Sequence, residues 1–342
     1  MEKETTIYDL AQRLNISVAT VSRALKDDPV VSKKTKKKIM DLAEELGYRS
    51  NNFARNLRSQ KTNTLGVIVP RLDSYFMSTV LAGMEEVAHA EGYHLIISQS
   101  FESAEREIAS ARTMFNNRVD GLLVSLAADT GETGHFDVFF KRSIPVIFFD
   151  RVLEHDAGTN ILIDNRKAGY EATRHLVEQG CRRIVHITTT PKRNVYIDRL
   201  QGYQQALAKF GLTVREEDVL VGNLSQEAGT EAAERILQMD PRPDGVFAAN
   251  DSAAVGCMVA LKKKGFRIPE DIAFVGFNDD PIATVIEPNL TTIRYPGKRM
   301  GEMSARALIS HLTGQVDMEL TNTILLRSEL VVRESSLREK RP

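Results

Sequence analysis

From Thr64 onward the chain changes its hydrophobic period, and that change limits the possible folds more than any other feature. TLGVIVP, HLIISQ, DGLLVS and PVIFFD are apolar runs of strand length, alternating with helical patterns near 75–91, 104–117 and 135–141. NILIDN, RIVHIT, DGVFAAN and DIAFVGF repeat the rhythm, with helical patterns near 166–179, 194–210, 226–238 and 251–264. Strands that are apolar on both faces and separated by helices build buried parallel sheet. About nine strands over roughly 270 residues fit two sheets better than one. A further helical pattern over 297–312 and two short strands, NTILL and ELVVR, close the chain. The two halves look like one plan used twice.

Open sheets of this kind bind ligands at the carboxyl ends of their strands, and two facing lobes make a cleft there. Polar side chains recur at those ends. Asp73 and Phe76 follow GVIVP, Asp150 and Arg151 follow PVIFF, Asn250 follows GVFAA, and Asn278 follows AFVGF. Arg199 sits on the helix after RIVHIT, beyond the loop of Thr188, Thr189 and Thr190. Planar polar groups in such a set suit a polyhydroxylated or carboxylated small molecule. Each Asn or Asp taken alone also reads as a helix cap, Asn250 most of all, and it is the recurrence that points to binding.

The first 60 residues follow another rule. In TTIYDLAQRLNISVATVSRAL, the residues Ile7, Leu10, Ala11 and Leu14 recur at helical spacing, as do Val18, Val21, Ala24 and Leu25. Asn15-Ile16-Ser17 interrupts them, and Ser17 is a good N-cap for the second helix. Two short amphipathic helices joined by a tight turn make a helix-turn-helix, whose second helix fits a DNA major groove. Its outward face carries Ser17, Val18, Ala19, Ser22 and Arg23. Hydroxyls and N–H groups at a helix start suit phosphates, Arg23 suits guanine, and Val18 with Ala19 suits thymine methyls. The alternative is an ordinary helical hairpin with a solvated face.

Ser32 is placed to cap a third helix running to about Leu46, with Gly47 as its stop. Its stripe is Thr35, Ile39, Leu42, Ala43 and Leu46, and Lys33, Lys34, Lys36, Lys37 and Lys38 crowd its first turns. Cations there oppose the helix dipole, so the run is either a solvated face or a set of phosphate contacts. The segment RSNNFARNLRSQKTN is either a plain linker or a helix of two turns, too short to hold unaided, that folds on DNA. Charge divides the same way. Residues 1–62 hold 13 Lys and Arg against 8 Asp and Glu, a net of +5, while the remainder is net −6. Only the head is suited to a polyanion.

Other classes fit poorly. No apolar run approaches the eighteen or so residues of a membrane span, and MEKETTIYDL lacks a signal peptide's apolar core, so the expected location is the cytoplasm. Cys181 and Cys257 are too few and too far apart for a metal or disulfide framework. There is no G-x-G-x-x-G after a strand, no Walker A, no G-x-S-x-G and no H-x-x-x-H pair. The expectation is no catalytic residue, no metal and no cofactor. The rival classes are a small-molecule carrier, for which the basic head has no use, and a two-lobed α/β enzyme, for which a catalytic constellation is missing.

Over essentially its whole length the chain resembles the lactose-repressor (LacI) family of bacterial transcription factors. The resemblance is carried by TIYDLAQRLNISVATVSRAL, VSKKTKKKIMDLAEELGY and NNFARNLRSQKTNTLGVIVP, then by VDGLLV, PVIFFDR, IDNRKAGYEATRHLVEQGCRRI, RLQGY, GVFAANDSAAVG, VGFNDDPIATVIEPNLTTI and ELVVRESS. It implies a small all-α helix-turn-helix head over residues 1–49 and a hinge helix within 50–62. It also implies an α/β two-lobed body over 63–342, with parallel sheets like type I periplasmic binding proteins. Chain crossings between lobes are expected near 162, 291 and 322. One lobe then holds about 63–162 and 292–321, the other about 163–291 and 322–335.

The resemblance further implies a homodimer reading a pseudo-palindromic operator in double-stranded DNA, with Leu57 inserted at the operator's centre. Ser17, Val18, Ala19, Ser22 and Arg23 fall on its recognition positions; Thr6, Thr20, Ser32, Thr35, Asn51 and Ala54 complete the candidate DNA contacts. Asp150, Arg199, Asn250 and Asn278 fall on its effector positions, with Phe76 nearby. The expected effector is a sugar or sugar derivative. Three departures stand out: Ser50 where many members have Pro, Cys181 where His is usual, and Asn278 where many have Asp. With Arg151 and Arg199 present, the last admits an anionic sugar. Only a short charged tail follows Arg333, so a dimer is expected and not a tetramer.

Overall fold

The computed structural model describes residues 5–48, 61–153, 158–317 and 322–338. The chain forms two compact units, Met1–Thr62 and Asn63–Pro342. In the first, α1 (Ile7–Leu14) is started by a capping box: the Thr6 side chain accepts from the Asp9 N–H, and the Thr6 N–H donates to Asp9 Oδ2 at 2.7 Å. Asn15, at φ 53°, ends it in the left-handed conformation that Asn tolerates. Ser17 and Ser32 cap α2 (Val18–Leu25) and α3 (Lys33–Glu45) through the N–H groups of Thr20 and Thr35. Leu10, Ala11, Val21, Ala24, Val31, Ile39 and Ala43 make the shared core.

The body opens with β1 (Thr64–Val69), α4 (Tyr75–Ala90), β2 (His94–Gln99), α5 (Ala104–Asn116), β3 (Gly121–Val124), α6 (Asp137–Phe140), β4 (Val146–Phe149) and β5 (Thr159–Ile163). It continues through α7 (Asn165–Glu178), β6 (Ile184–Thr188), α8 (Asn194–Lys209), β7 (Val219–Val221), α9 (Gln226–Gln238), β8 (Gly245–Ala248), α10 (Asp251–Lys263) and β9 (Ala273–Asn278). The last elements are α11 (Ile282–Val285), β10 (Thr291–Arg294), α12 (Gly297–Leu312), β11 (Thr323–Leu326) and β12 (Glu329–Val331). Two six-stranded sheets result, ordered β11-β5-β4-β3-β1-β2 and β12-β10-β9-β8-β6-β7.

Among the described residues every pairing is parallel except β12 with β10. The chain passes between sheets at Asp164, at Tyr295–Pro296 and at Arg327–Ser328. Two expected boundaries therefore move. Residues 291–294 stay in the second lobe, because Thr291 to Arg294 pair with Val275 to Asn278. Residues 323–326 belong to the first lobe, because they run beside Asn160 to Ile163. Two strands escape the apolar-run signal. β10 reads TTIR, with one apolar residue among buried hydroxyls, and β7 is three residues on a sheet edge. One close contact helps to shape the cleft. A Cβ on Gly202 of α8 would lie 2.1 Å from the Arg166 carbonyl oxygen, so α7 and α8 touch backbone to backbone.

Candidate ligand cleft and nucleic-acid interface

On the head, the outward side of α2 is laid out as its period requires. Ser17, Ala19 and Arg23 are exposed, Thr20 and Ser22 are half-buried, and Val18 is shared with the core. Ser17 Oγ and Thr20 Oγ1 lie 2.8 Å apart, and Ser32 Oγ and Thr35 Oγ1 2.9 Å apart, so each hydroxyl pair doubles as a helix cap. Thr6 is likewise exposed and engaged with Asp9. One lysine of the run is occupied: Lys36 Nζ sits 2.5 Å from Asp27 Oδ1 and donates to the Asp27 carbonyl, which pins the α2–α3 loop. Lys33, Lys34, Lys37 and Lys38 are exposed. Asn51, Ala54 and Leu57, with the hinge expectation and Ser50, lie outside the described residues.

In the body, side chains from both lobes meet where β4, β6, β8 and β10 end. Asp150, buried and at φ 58°, accepts from the Tyr295 hydroxyl at 2.7 Å. Burial pushes its carboxyl above the usual range, against the pull of Arg151, Tyr295 and Arg199. Tyr295 stacks on Phe76 with ring centroids 4.3 Å apart. Arg199, on α8, donates from Nε to Asn165 Oδ1 at 2.9 Å and from Nη1 to the Ala249 carbonyl at 2.8 Å. Its guanidinium carbon lies 3.5 Å from the centre of the Phe277 ring, and burial lowers its pKa. Backbone contact at Gly202 brings α8 close enough to α7 for that Asn165 bond.

The loop after β9 is held from below. Asp251, fully buried, accepts from Thr292 Oγ1 at 2.6 Å and from the Asp280 N–H at 2.7 Å; burial pushes its carboxyl up to about 8. Asp279 is paired with Arg294 at 2.9 Å and Arg333 at 2.6 Å. Asn278, the residue before it, sits at φ 116°, a left-handed backbone position that favours glycine and stores strain. Such strain persists where surrounding contacts over-determine it, commonly at functional sites.

Not every candidate joins this cluster. Asp73 is exposed and hydrogen-bonded to Arg71 at 2.5 Å, apart from the Asp150 network. Asn250 does what its capping propensity suggests: Oδ1 accepts from the Ala253 N–H and Nδ2 donates to the Leu224 carbonyl, both at 2.9 Å. Arg151 spends its charge inside the protein, on Glu102 Oε2 at 2.6 Å and the Tyr196 hydroxyl at 3.1 Å. Cys181 is a buried packing residue whose thiol donates to the Asp244 carbonyl at 3.3 Å. Four residues go unseen in the sequence: Tyr295, Asn165, Tyr196 and Arg193. Arg193 is 4% exposed, and among the described residues its Nε and Nη1 have no acceptor; the buried Ser125 and Thr188 hydroxyls likewise lack a partner among them. Buried polar groups normally find partners, so donors left over at strand ends mark where a ligand's oxygens would fit.

The comparisons with known proteins agree with this layout. Residues 6–51 match the bacterial regulatory proteins of the lacI family, and residues 173–336 match the periplasmic binding protein-like domain. Catabolite control protein A of Priestia megaterium is 30% identical over 308 residues, covering 90% of this chain and 92% of that relative. The chain belongs to the LacI family. It is therefore a DNA-binding transcriptional regulator that responds to a ligand, and its curated relatives are regulators, not enzymes. Among solved structures, the lac repressor dimer bound to operator and an anti-inducer has the same fold, with a TM-score of 0.85 over 98% of this chain and 100% of that one at 24% identity. A complex of the regulator CelR with cellobiose matches with a TM-score of 0.73 at 27% identity, over 97% of this chain and 100% of that one. Among the described residues no helix is long and apolar enough to cross a membrane.

Proposed function

We propose that this LacI-family protein is a homodimeric, cytoplasmic repressor of carbohydrate-utilisation genes. Its effector, a sugar or sugar derivative, binds between the two lobes. The observation that carries this reading is the set of buried hydrogen-bonding groups where the lobes meet: Asp150 with Tyr295, Arg199 over Phe277, and the spare N–H groups of Arg193. Carboxylate, guanidinium and aromatic face together suit a ring bearing hydroxyls. Among the described residues, neither Arg193 nor Arg199 is hydrogen-bonded to a carboxylate, which favours an acceptor-rich ligand and leaves room for an anionic one.

In this mechanism Arg23 and its neighbours on α2 read half of a pseudo-palindromic operator, and the exposed lysines of α3 meet phosphates. The segment around 51–59 folds as a hinge helix on DNA, with Asn51 and Ala54 in contact and Leu57 as an apolar wedge. Effector changes the angle between the lobes and so the spacing at which two hinge helices can pack. The coupling is a difference in effector affinity between two global states, of about 1–3 kcal/mol. Which state the effector prefers decides whether it releases DNA or promotes binding.

Titration calorimetry against neutral sugars, uronates and sugar phosphates, paired with operator anisotropy at each saturation, tests the proposal. Binding of one class with a matching change in operator affinity is expected. Operator affinity unmoved by every sugar bound would overturn it, and binding of neutral sugars alone would remove the anionic variant.

A further inference from the structure

The ties between the lobes converge on the first turn of α8. Asn194 Oδ1 accepts from the Val152 N–H at 3.0 Å, and its Nδ2 donates to the Asp150 carbonyl at 3.1 Å. The Tyr196 hydroxyl accepts from Arg151. Arg193 Nη2 donates to the Thr130 carbonyl of the first lobe, in a short contact. The acceptor of that last tie belongs to a loop, residues 125–133, with no regular structure before the turn at 134–136. Something has to hold the Thr130 carbonyl in place for the buried Arg193.

Glu102 holds the Ala128 N–H at 3.1 Å and Asp129 the Ala104 N–H at 2.6 Å, but the side chain that reaches Thr130 itself is Glu107. Glu107, on the first turn of α5, is fully buried. Its Oε2 accepts from the Ala127 N–H at 2.7 Å, and its Oε1 accepts from Thr130 Oγ1 at 3.0 Å and lies 3.0 Å from His135 Nε2. A buried carboxylate is costly unless its oxygens are occupied, and here three donors converge on it. Two of the three lie on the loop that receives Arg193. All three belong to the first lobe, and none is a candidate effector residue, so the cleft does not account for the burial of Glu107.

We infer that Glu107 is a positioning residue for lobe closure. By clamping Ala127 and Thr130 it fixes the carbonyl that Arg193 grips, and so sets the free-energy difference between open and closed lobes. The inference rests on the two-lobed closure mechanism proposed above but not on the identity of the effector. Glu107→Gln keeps the shape: its amide oxygen still accepts from the Ala127 N–H, but its NH2 has to donate to Thr130 Oγ1 and His135 Nε2, so two charge-assisted bonds become weaker neutral ones with their directions reversed. The loop is then held less firmly, and the Arg193 acceptor with it.

The test is pulsed electron–electron distance measurement on the full chain, with spin labels on Lys141→Cys and Glu227→Cys, one position on each lobe. The native Cys181 and Cys257 are buried and do not compete for label. Glu107→Gln is expected to move the open-to-closed ratio about fivefold toward open, the scale of coupling within one hydrogen-bond network. Arg193→Gln should do the same, and the double variant should go no further than either alone. Thr130→Val, which keeps the carbonyl and deletes one donor to Glu107, should shift the ratio less and in the same direction; it decides the matter if Glu107→Gln does not fold.

An unchanged distance distribution, with only a lower melting temperature, would make Glu107 a stabilising residue alone and overturn the inference. Additive effects of Glu107→Gln and Arg193→Gln, or a parent chain with no short-distance population, would overturn it too. Absence of any effector response in the operator assay would instead count against the proposed function, leaving the distances to judge Glu107.

Discussion

The head and the cleft of the body solve opposite problems. Among its described residues the head has three helices and seven buried apolar side chains, and its helix starts are closed locally: Thr6, Ser17 and Ser32 each do so within three residues. The cleft is assembled from residues far apart in the chain. Tyr295 meets Asp150 across 145 positions, and Arg199 meets Asn165 and Ala249 across 34 and 50. A DNA-reading face works by leaving side chains in water until the duplex arrives. A ligand cleft works by removing them from water beforehand, so that a small molecule meets preorganised groups.

The contrast is sharpest where stability is thinnest. Leu10 is wholly buried in the small core of the head. Leu10→Ala should cost about 2–5 kcal/mol, enough to unfold a unit of this size. Scanning calorimetry and operator binding should show loss of the head's transition and of DNA affinity, while the body's transition persists. A body that melted together with the head would break the comparison.

A second break acts on the body alone. His186 lies wholly buried between Tyr203 and Phe247, with ring centroids 5.3 and 4.6 Å away, and burial pushes it down to about 4. The unfolded chain binds this proton near the ordinary histidine value and the folded body does not. Stability is therefore present above about 6.5 and is lost as pH falls through that value toward 4, by roughly 3 kcal/mol. His186→Phe, which keeps a ring in the stack, should flatten the acid dependence of the body's melting temperature in that window. An unchanged slope would show that another group carries it.

Smaller effects belong to the head's surface. Arg23→Ala should weaken the specific site by about 1–3 kcal/mol and relax base preference there, with little change on unrelated DNA. Competition binding against single-base operator variants reads both. Ser17→Ala removes the cap of α2 and should lower the head's stability by about 1 kcal/mol, measured as a drop in its melting temperature. A larger loss in operator affinity than in stability would mean that the Ser17 hydroxyl also meets a phosphate.

The legibility of the two regions has the same physical origin. Caps, apolar periods and the Gly47 stop are written within three or four residues, so the head can be read residue by residue from the sequence. Strand ends can be read as well, which is why Asp150, Arg151, Asn250 and Asn278 are candidates. Their present duties cannot. Arg151 is taken by Glu102, Asn250 caps α10, and Asp73 stays with Arg71, because partners in a cleft come from other strands and other helices. Tyr295 carries no signal because it follows a strand whose burial is supplied by threonines.

Sequence alone determined the class of the protein, the alternation that demands two parallel sheets, the basic head and the exposed face of its second helix. Those rest on local propensity, hydrophobic period and charge, which act along the chain. Only the tertiary structure decided where the lobes divide, which buried donors are left for a ligand, and that Glu107 stands behind the grip of Arg193. Those depend on which distant residues become neighbours, and hydrogen-bond satisfaction in a buried site can be settled only once every neighbour is in place.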